Sequence, residues 1–258
     1  MRQADIMLAQ IRRNSIVELI NAQGFITVTQ LCQRFEVSPA TIRNDLRDLE
    51  EEHLIERTHG GAISCRKAVY EPDNSQRSQQ RTYEKELIAQ AALKHIQPGD
   101  AIALDTGTTV YQLCKLLTGF DRLTVVTYDL QIAVWLESNT NVTVILAGGP
   151  VRRNFHCTSG QTCIDMLSSL HVDRLFLAAN AVDEVGLYTP SLSMAGIKTA
   201  LVQSAKEVYL LAYATKLNQK SFAQFARLEQ IGTLITDRQA PASVVSLIRE
   251  KGVNVELV

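Results

Sequence analysis

Three brief helical periods at the N-terminus, followed by a long alternation of β-rich runs with helices, predict an α/β protein in two parts. A polar stretch without apolar period separates them. The 258 residues, 46% of them hydrophobic, suffice for two cores. The expected division is a first domain over 1–65, a linker over 66–81 and a second domain over 82–258.

The first helix is expected from about Leu8 to Gln23, ended by Gly24, with "LAQIRR" adding a turn at its start. The second runs from about Val28 to Phe35. Thr27 and Gln30 form a capping-box pattern there, and Val28, Leu31, Cys32 and Phe35 share one face. The third lies in "VSPATIRNDLRDLEEE", where Ser38 can cap the free N–H groups and Pro39 suits the first helical position. Its Ile42, Leu46 and Leu49 fall at i, i+4 and i+7, while Thr41, Arg43, Asn44 and Arg47 lie off that stripe. One face packs and the other is offered outward. Only "EVS" joins helices two and three, so the two turn sharply against each other as a helix-turn-helix. "LIERTHGGAIS" then supplies two extended pieces around Gly60 and Gly61, glycines able to take the positive φ that a tight hairpin demands, and is expected to make a wing.

"CRKAVYEPDNSQRSQQR", Cys65 to Arg81, is polar and contains Pro72, the composition of a linker. Beyond it come "AIALD", "LTVVT", "VTVILAGG", "RLFLAA", "EVYLLAY", "GTLITD" and "VNVELV" as strands. Helices are expected at "VYQLCKLL", "LQIAVWLE" and "GQTCIDMLSSL", and over about Ala195–Ala205 and Ala242–Lys251. This alternation predicts a Rossmann-like, mainly parallel sheet flanked by helices.

Ligands collect in such sheets where strands end and helices begin. "DTGTT", Asp105 to Thr109, occupies such a place: Gly107 allows close backbone approach, the threonines bring hydroxyls, and a helix dipole favours an anion. "AGGPVRR" sets Gly148 and Gly149 after the third strand, with Arg152 and Arg153 close by, and "ATK" sets Lys216 after "VYLLAY". These loops are expected to converge on one crevice.

A net charge of −1 shows no bulk basicity, and the first 65 residues carry more acids than bases. A nucleic-acid role must therefore come from the placement of arginines. Neither a membrane-spanning run nor a signal peptide is evident, so the expected location is the cytoplasm. Five cysteines, Cys32, Cys65, Cys114, Cys157 and Cys163, form no C-x-x-C pair, which argues for reduced thiols over disulfides or zinc. His59, His95, His156 and His171 show neither triad nor metal spacing. No cofactor or metal is expected.

Over nearly its whole length the chain resembles the DeoR family of bacterial transcription regulators. Arg12 to Ala62 looks like that family's winged helix-turn-helix signature. The resemblance implies that the Ser38 helix reads DNA, with Thr41, Arg43, Asn44 and Arg47 at the major groove or its phosphates. Thr27, Ser38 and Ala40 are implied beside them, and Arg57, His59 and Gly60 on the wing. The second part is similar to the family's sugar-phosphate-binding domain, related in fold to ribose-5-phosphate isomerases, with "DTGTT" and "AGG" matching its motifs. The implied effector residues are Asp105, Thr106, Gly107, Thr108 and Thr109, then Thr127, Tyr128, Gly148, Gly149, Arg152, Lys198 and Lys216.

Several positions depart from the family pattern. Thr127-Tyr128 stands where Thr-Asn is usual, Tyr213-Ala214-Thr215-Lys216 where Asp-Ser-Ser-Lys is usual, Ala178 and Ala181 replace glycines, and Leu192 replaces a glutamate. These losses remove groups that would hold sugar hydroxyls, so the part of the effector beyond its phosphate is expected to bind in a more apolar way, through Tyr128 and Tyr213.

The implied protein is a repressor of a carbohydrate-utilisation operon, acting on double-stranded operator DNA and relieved by a phosphorylated sugar. One recognition helix buries little surface and operators repeat, so a homo-oligomer, dimer or tetramer, is expected. The alternative is a sugar-phosphate isomerase with an appended regulatory domain, for which Asp105 with Lys216 is the one nominable catalytic pair.

Overall fold

The computed structural model describes residues 3–23, 25–52, 54–64 and 71–258. The chain divides into two compact units, residues 1–70 and 71–258.

The first unit runs α1 (Gln3–Gln23), β1 (Phe25–Thr27), α2 (Val28–Phe35), α3 (Pro39–Glu51), β2 (Ile55–Thr58) and β3 (Gly61–Ser64). Helix α1 begins earlier than Leu8, and the expected stop at Gly24 lies outside the described residues. The Thr27–Gln30 capping box opens α2, and the Ser38 hydroxyl caps α3 by accepting from Thr41 N at 3.2 Å. Ile42, Leu46 and Leu49 are buried with Ile16, Ile20, Leu31 and Ile55 in one core. Asp45 is also buried on α3, where it faces Arg12 Nε at 2.6 Å and Arg13 Nε at 3.4 Å. That double ion pair ties α3 to α1 where apolar packing alone would leave the angle loose.

Strands β1, β3 and β2 make an antiparallel sheet in that order. Sequence periodicity missed β1 because three residues carry no period. Neither Gly60 nor Gly61 uses the freedom to take positive φ. Gly61 is needed for space, since a Cβ there would lie 2.0 Å from the Ile26 carbonyl oxygen.

The second unit opens with α4 (Asn74–Ser78) and α5 (Thr82–Leu93). It continues β4 (Ala101–Leu104), α6 (Thr108–Cys114), β5 (Thr124–Thr127), α7 (Leu130–Asn139) and β6 (Thr143–Leu146). A short hairpin of β7 (Val151–Arg152) and β8 (Cys157–Thr158) leads to α8 (Gln161–Ser168), β9 (Val172–Leu177), β10 (Ala181–Val182) and β11 (Gly186–Thr189). Then come α9 (Leu192–Ser204), β12 (Ala205–Leu211), β13 (Ala223–Arg227), β14 (Thr233–Thr236), α10 (Ala242–Glu250) and β15 (Asn254–Leu257).

Seven strands form an all-parallel sheet in the order β15-β14-β12-β9-β4-β5-β6. Alternation along each strand feeds two cores: Leu175 and Leu177 of β9 point to one, Phe176 to the other. Strands after β4 wind outward one way and strands after β9 the other. The switch point therefore lies between the carboxyl ends of β4 and β9, where a crevice is expected in such sheets. Strands β10, β11 and β13 add a small antiparallel sheet that sequence alternation did not show.

The linker expectation is corrected. Residues 71–81 belong to the second unit: Asp73 and Gln76 form a capping box on α4, and Asn74 Nδ2 donates to Phe155 O at 2.8 Å. The polar side chains there find partners within the unit, which an apolar-period reading cannot register. The rest of the expected linker that the first unit ends on, 65–70 with Cys65, lies outside the described residues. No described helix is long and apolar enough to cross a membrane.

Candidate functional site

Two separate regions carry the candidate residues. In the first unit, the stripe that buries Ile42, Leu46 and Leu49 leaves Ser38, Ala40, Arg43, Asn44 and Arg47 exposed and Thr41 half-buried. Arg43 has no carboxylate partner among the described residues, whereas Arg47 meets Asp48 at 3.5 Å and Glu51 at 3.9 Å, both in solvent where such pairs weigh little. On the wing Arg57, His59 and Gly60 are exposed; Arg57 lies 3.7 Å from Glu50. Thr27 and Ser38 spend their hydroxyls on the caps of α2 and α3. The Gly60 carbonyl accepts from Val28 N at 3.0 Å and so holds the wing turn against the start of α2.

In the second unit a crevice sits at the sheet's switch point. Thr106, Gly107, Thr108 and Thr109 line it from the loop after β4, and Ala178, Ala179 and Asn180 from the loop after β9. Lys198 of α9, Lys216 of the turn after β12 and Arg152 of β7 add cations to the lining. Seven of the twelve sequence candidates are thus brought together: Thr106, Gly107, Thr108, Thr109, Arg152, Lys198 and Lys216.

The other five do not line it: Asp105, Thr127 and Tyr128 are buried behind the wall, and Gly148 and Gly149 lie outside the lining. Asp105 is fully buried, where its carboxylate accepts from Ala178 N at 2.8 Å, from the Tyr128 hydroxyl and from Lys198 Nζ. It anchors Lys198 and is spent by doing so. Tyr128, also fully buried, is no ligand contact; burial and the adjacent Asp105 charge push its phenol well above the usual range, so it stays a donor. Thr127 donates to Leu104 O at 2.8 Å and ties β5 to β4. Gly149 adopts a φ of 146° and backs onto the Ser159 carbonyl, and neither it nor Gly148 lines the crevice.

Sequence reasoning overlooked the buried support of this loop. Asp129 caps α7 through Gln131 N and Ile132 N and accepts from the Thr106 hydroxyl at 2.7 Å, which orients the residue after Asp105. It also overlooked Glu71, Arg77, Phe155 and Thr189 in the lining. Glu71 and Arg77 stand in the segment read as a polar linker. Lys216 Nζ donates to Ala179 O at 2.7 Å; burial, with Arg77, Lys85 and Lys198 nearby, pulls its pKa down to about 7. The Cys157 thiol, pushed up to about 11 by burial, is neutral at ordinary pH. No group of three or more metal-ligating side chains occurs among the described residues.

A winged helix with an arginine-bearing outer face, followed by a parallel α/β unit with a cationic crevice, defines a DNA-binding regulator with a sensor domain. Residues 12–68 match the family model of the DeoR-like helix-turn-helix domain and residues 80–238 that of the DeoR C terminal sensor domain. The HTH-type transcriptional regulator GlpR of Haloferax volcanii is 36% identical over 250 residues, spanning 96% of this chain and 98% of that one. The glycerol-3-phosphate regulon repressor of Escherichia coli is 30% identical over 247 residues, 95% and 98% of the two chains. The HTH-type transcriptional repressor GlcR of Bacillus subtilis is 33% identical over 249 residues, 96% and 95%. The chain belongs to the DeoR family of transcriptional regulators.

Proposed function

We propose that this regulator represses a carbohydrate-utilisation operon in the cytoplasm, binding double-stranded operator DNA as a homo-oligomer, dimer or tetramer, and that a small phosphorylated sugar in the crevice relieves it. The carrying observation is the exposed Arg43-Asn44-Arg47 face opposite the buried stripe of α3. It is supported by relatives named as repressors and by the excess of cations over carboxylates in the crevice. Thr41 is part of that face, and the wing residues Arg57, His59 and Gly60 flank it along the DNA. Coupling of the two sites needs about 1–3 kcal/mol to shift promoter occupancy severalfold. Turnover is not part of the reading: the pair nominated for an isomerase does not form, because Asp105 is committed to Lys198 and Tyr128 instead of Lys216.

Fluorescence anisotropy of the full chain on its own upstream DNA tests this reading, with and without a panel of sugar phosphates. Specific binding weakened at least about tenfold by one phosphorylated sugar is expected. Arg43→Ala and Arg47→Ala separate two roles. A base contact costs about 1–3 kcal/mol on the cognate site only, whereas a phosphate contact weakens all sequences and lowers the salt slope by about one. Equal affinity of wild type and both variants for cognate DNA would remove α3 as the reading element.

The lowered Lys216 pKa adds a pH dependence. A bound phosphate favours charged Lys216, so binding takes up a proton wherever the free site has lost it, which is above about pH 7. Effector affinity is therefore expected to rise as pH falls from about 8.5 to 7, by up to about tenfold per pH unit, and to level off below. Calorimetry across that window checks it; Lys216→Met should flatten the slope, and an unchanged slope in that variant assigns the proton elsewhere.

A further inference from the structure

The crevice carries a second cationic cluster besides the Lys198 and Lys216 side, and that cluster already holds an anion. Glu71 lines the crevice with its carboxylate 2.8 Å from Arg152 and 3.6 Å from Arg77. Phe155 sits against both guanidinium groups, 3.7 Å from Arg152 and 5.6 Å from Arg77 measured to the ring centre. Asn74 accepts from Arg77 and donates to the Phe155 carbonyl at 2.8 Å. Arg77 is thus held by Asn74 and both guanidinium groups by the Phe155 ring, contacts that do not involve Glu71. Arg77 Nε is buried with no acceptor, so the cluster has a donor that Glu71 leaves unused.

Glu71 itself precedes the cap of α4 and belongs to no helix or strand. Its side chain can therefore leave without breaking a backbone ladder. Among the described lining residues it is the one carboxylate, facing Arg77, Arg152, Lys198 and Lys216. Asp105 answers Lys198 from behind the wall, and Glu71 answers the arginine pair from within the cavity.

We propose that Glu71 stands in for part of the effector: the natural ligand bears two separated anionic groups, a phosphate toward Lys216 and the Thr106–Thr109 loop, and a carboxylate that displaces Glu71 from Arg77 and Arg152. The ligand class is a phosphorylated sugar acid. A planar carboxylate fits because Glu71 already bonds Arg152 and pairs with Arg77 through one. This inference rests on the reading of the crevice as the effector site and narrows it.

Calorimetry on the full chain tests this with matched probes: 3-phosphoglycerate against glyceraldehyde 3-phosphate, 6-phosphogluconate against glucose 6-phosphate, and fructose 1,6-bisphosphate beside them. In at least one pair the acid is expected to bind about tenfold tighter or more than its partner without the carboxylate. Glu71→Gln, which removes the internal competitor, should enlarge that ratio, and Arg152→Gln should bring it close to one. Ratios are read within each variant, so a general loss of stability does not mimic the result. Equal binding within both pairs, in wild type and in Glu71→Gln alike, overturns the inference while leaving the sugar-phosphate reading intact. Tighter binding of the bisphosphate than of either acid overturns the carboxylate assignment. Failure of every phosphorylated probe to bind overturns both readings together.

Discussion

Replacement of Lys198 by methionine is expected to destabilise the second unit by about 3–5 kcal/mol, the usual cost of leaving one partner of a buried ion pair behind. Asp105 has no exposure, and Lys198 is its counter-charge; what remains after the substitution is the Tyr128 hydroxyl and Ala178 N, two hydrogen bonds for a full negative charge in an apolar surround. Lys198 also donates to Ala178 O at 3.0 Å, so one substitution loosens both ends of the wall between the loops after β4 and β9. Urea unfolding of the full chain measures the loss. The double variant Asp105→Asn/Lys198→Met should recover part of it, because an amide is far cheaper to bury than a carboxylate. A single-variant loss below about 1 kcal/mol would mean that solvent reaches Asp105 when the lysine is gone.

The same pair explains why the crevice was only half legible. "DTGTT" marks a strand-to-helix loop, and the structure places four of its five residues in the lining. Its aspartate looks like the natural ligand-binding group of the five, yet it points into the sheet, because a lysine on α9 far along the chain completes it there. Tyr128 follows the same logic. A tyrosine where a small polar residue is usual reads as a new aromatic wall, but the hydroxyl has a carboxylate to meet and the ring a core to fill, so it is drawn inward. Neither partner is near in sequence, and local pattern carries no information about which side of a strand end is buried.

The fold was more open to reading than the site. Period 3.6 with a Ser-Pro start delimits α3, and short apolar runs such as "LFL" alternating with helical segments suit strands covered on both faces. The strands missed, β1, the β7–β8 hairpin and the sheet of β10, β11 and β13, share one trait: they exist because of their partners. Strand β1 is three residues long and gains its hydrogen bonds from β3 across the whole winged helix. Residues 71–81 went unread for the related reason that ion pairs and caps, not apolar burial, fasten them.

Strand β1 also sets the last expected result. Gly61→Val should abolish DNA binding at concentrations that saturate the wild type, while the second unit keeps its stability. Any Cβ at residue 61 would stand 2.0 Å from Ile26 O, 2.9 Å from Ile26 C and 2.9 Å from Thr27 Cα, all backbone atoms that no side-chain rotation can move. Relief requires β1 to part from β3, with loss of the Phe25–Ile63 to Thr27–Gly61 register. Thr27 is both the last residue of β1 and the cap of α2, so the displacement passes directly into the helix-turn-helix. The cost should reach or exceed the upper end of the about 1–3 kcal/mol typical of overpacking, in a unit whose core is only the small cluster around Leu46. Hydrogen exchange on the full chain should show β1 and β3 opening with the amides of the seven-stranded sheet still protected. Retained DNA affinity in Gly61→Val would mean that the recognition face holds without the β1–β3 pairing. In that case the ion pairs of Asp45 with Arg12 and Arg13, rather than the sheet, would fix α3 in place.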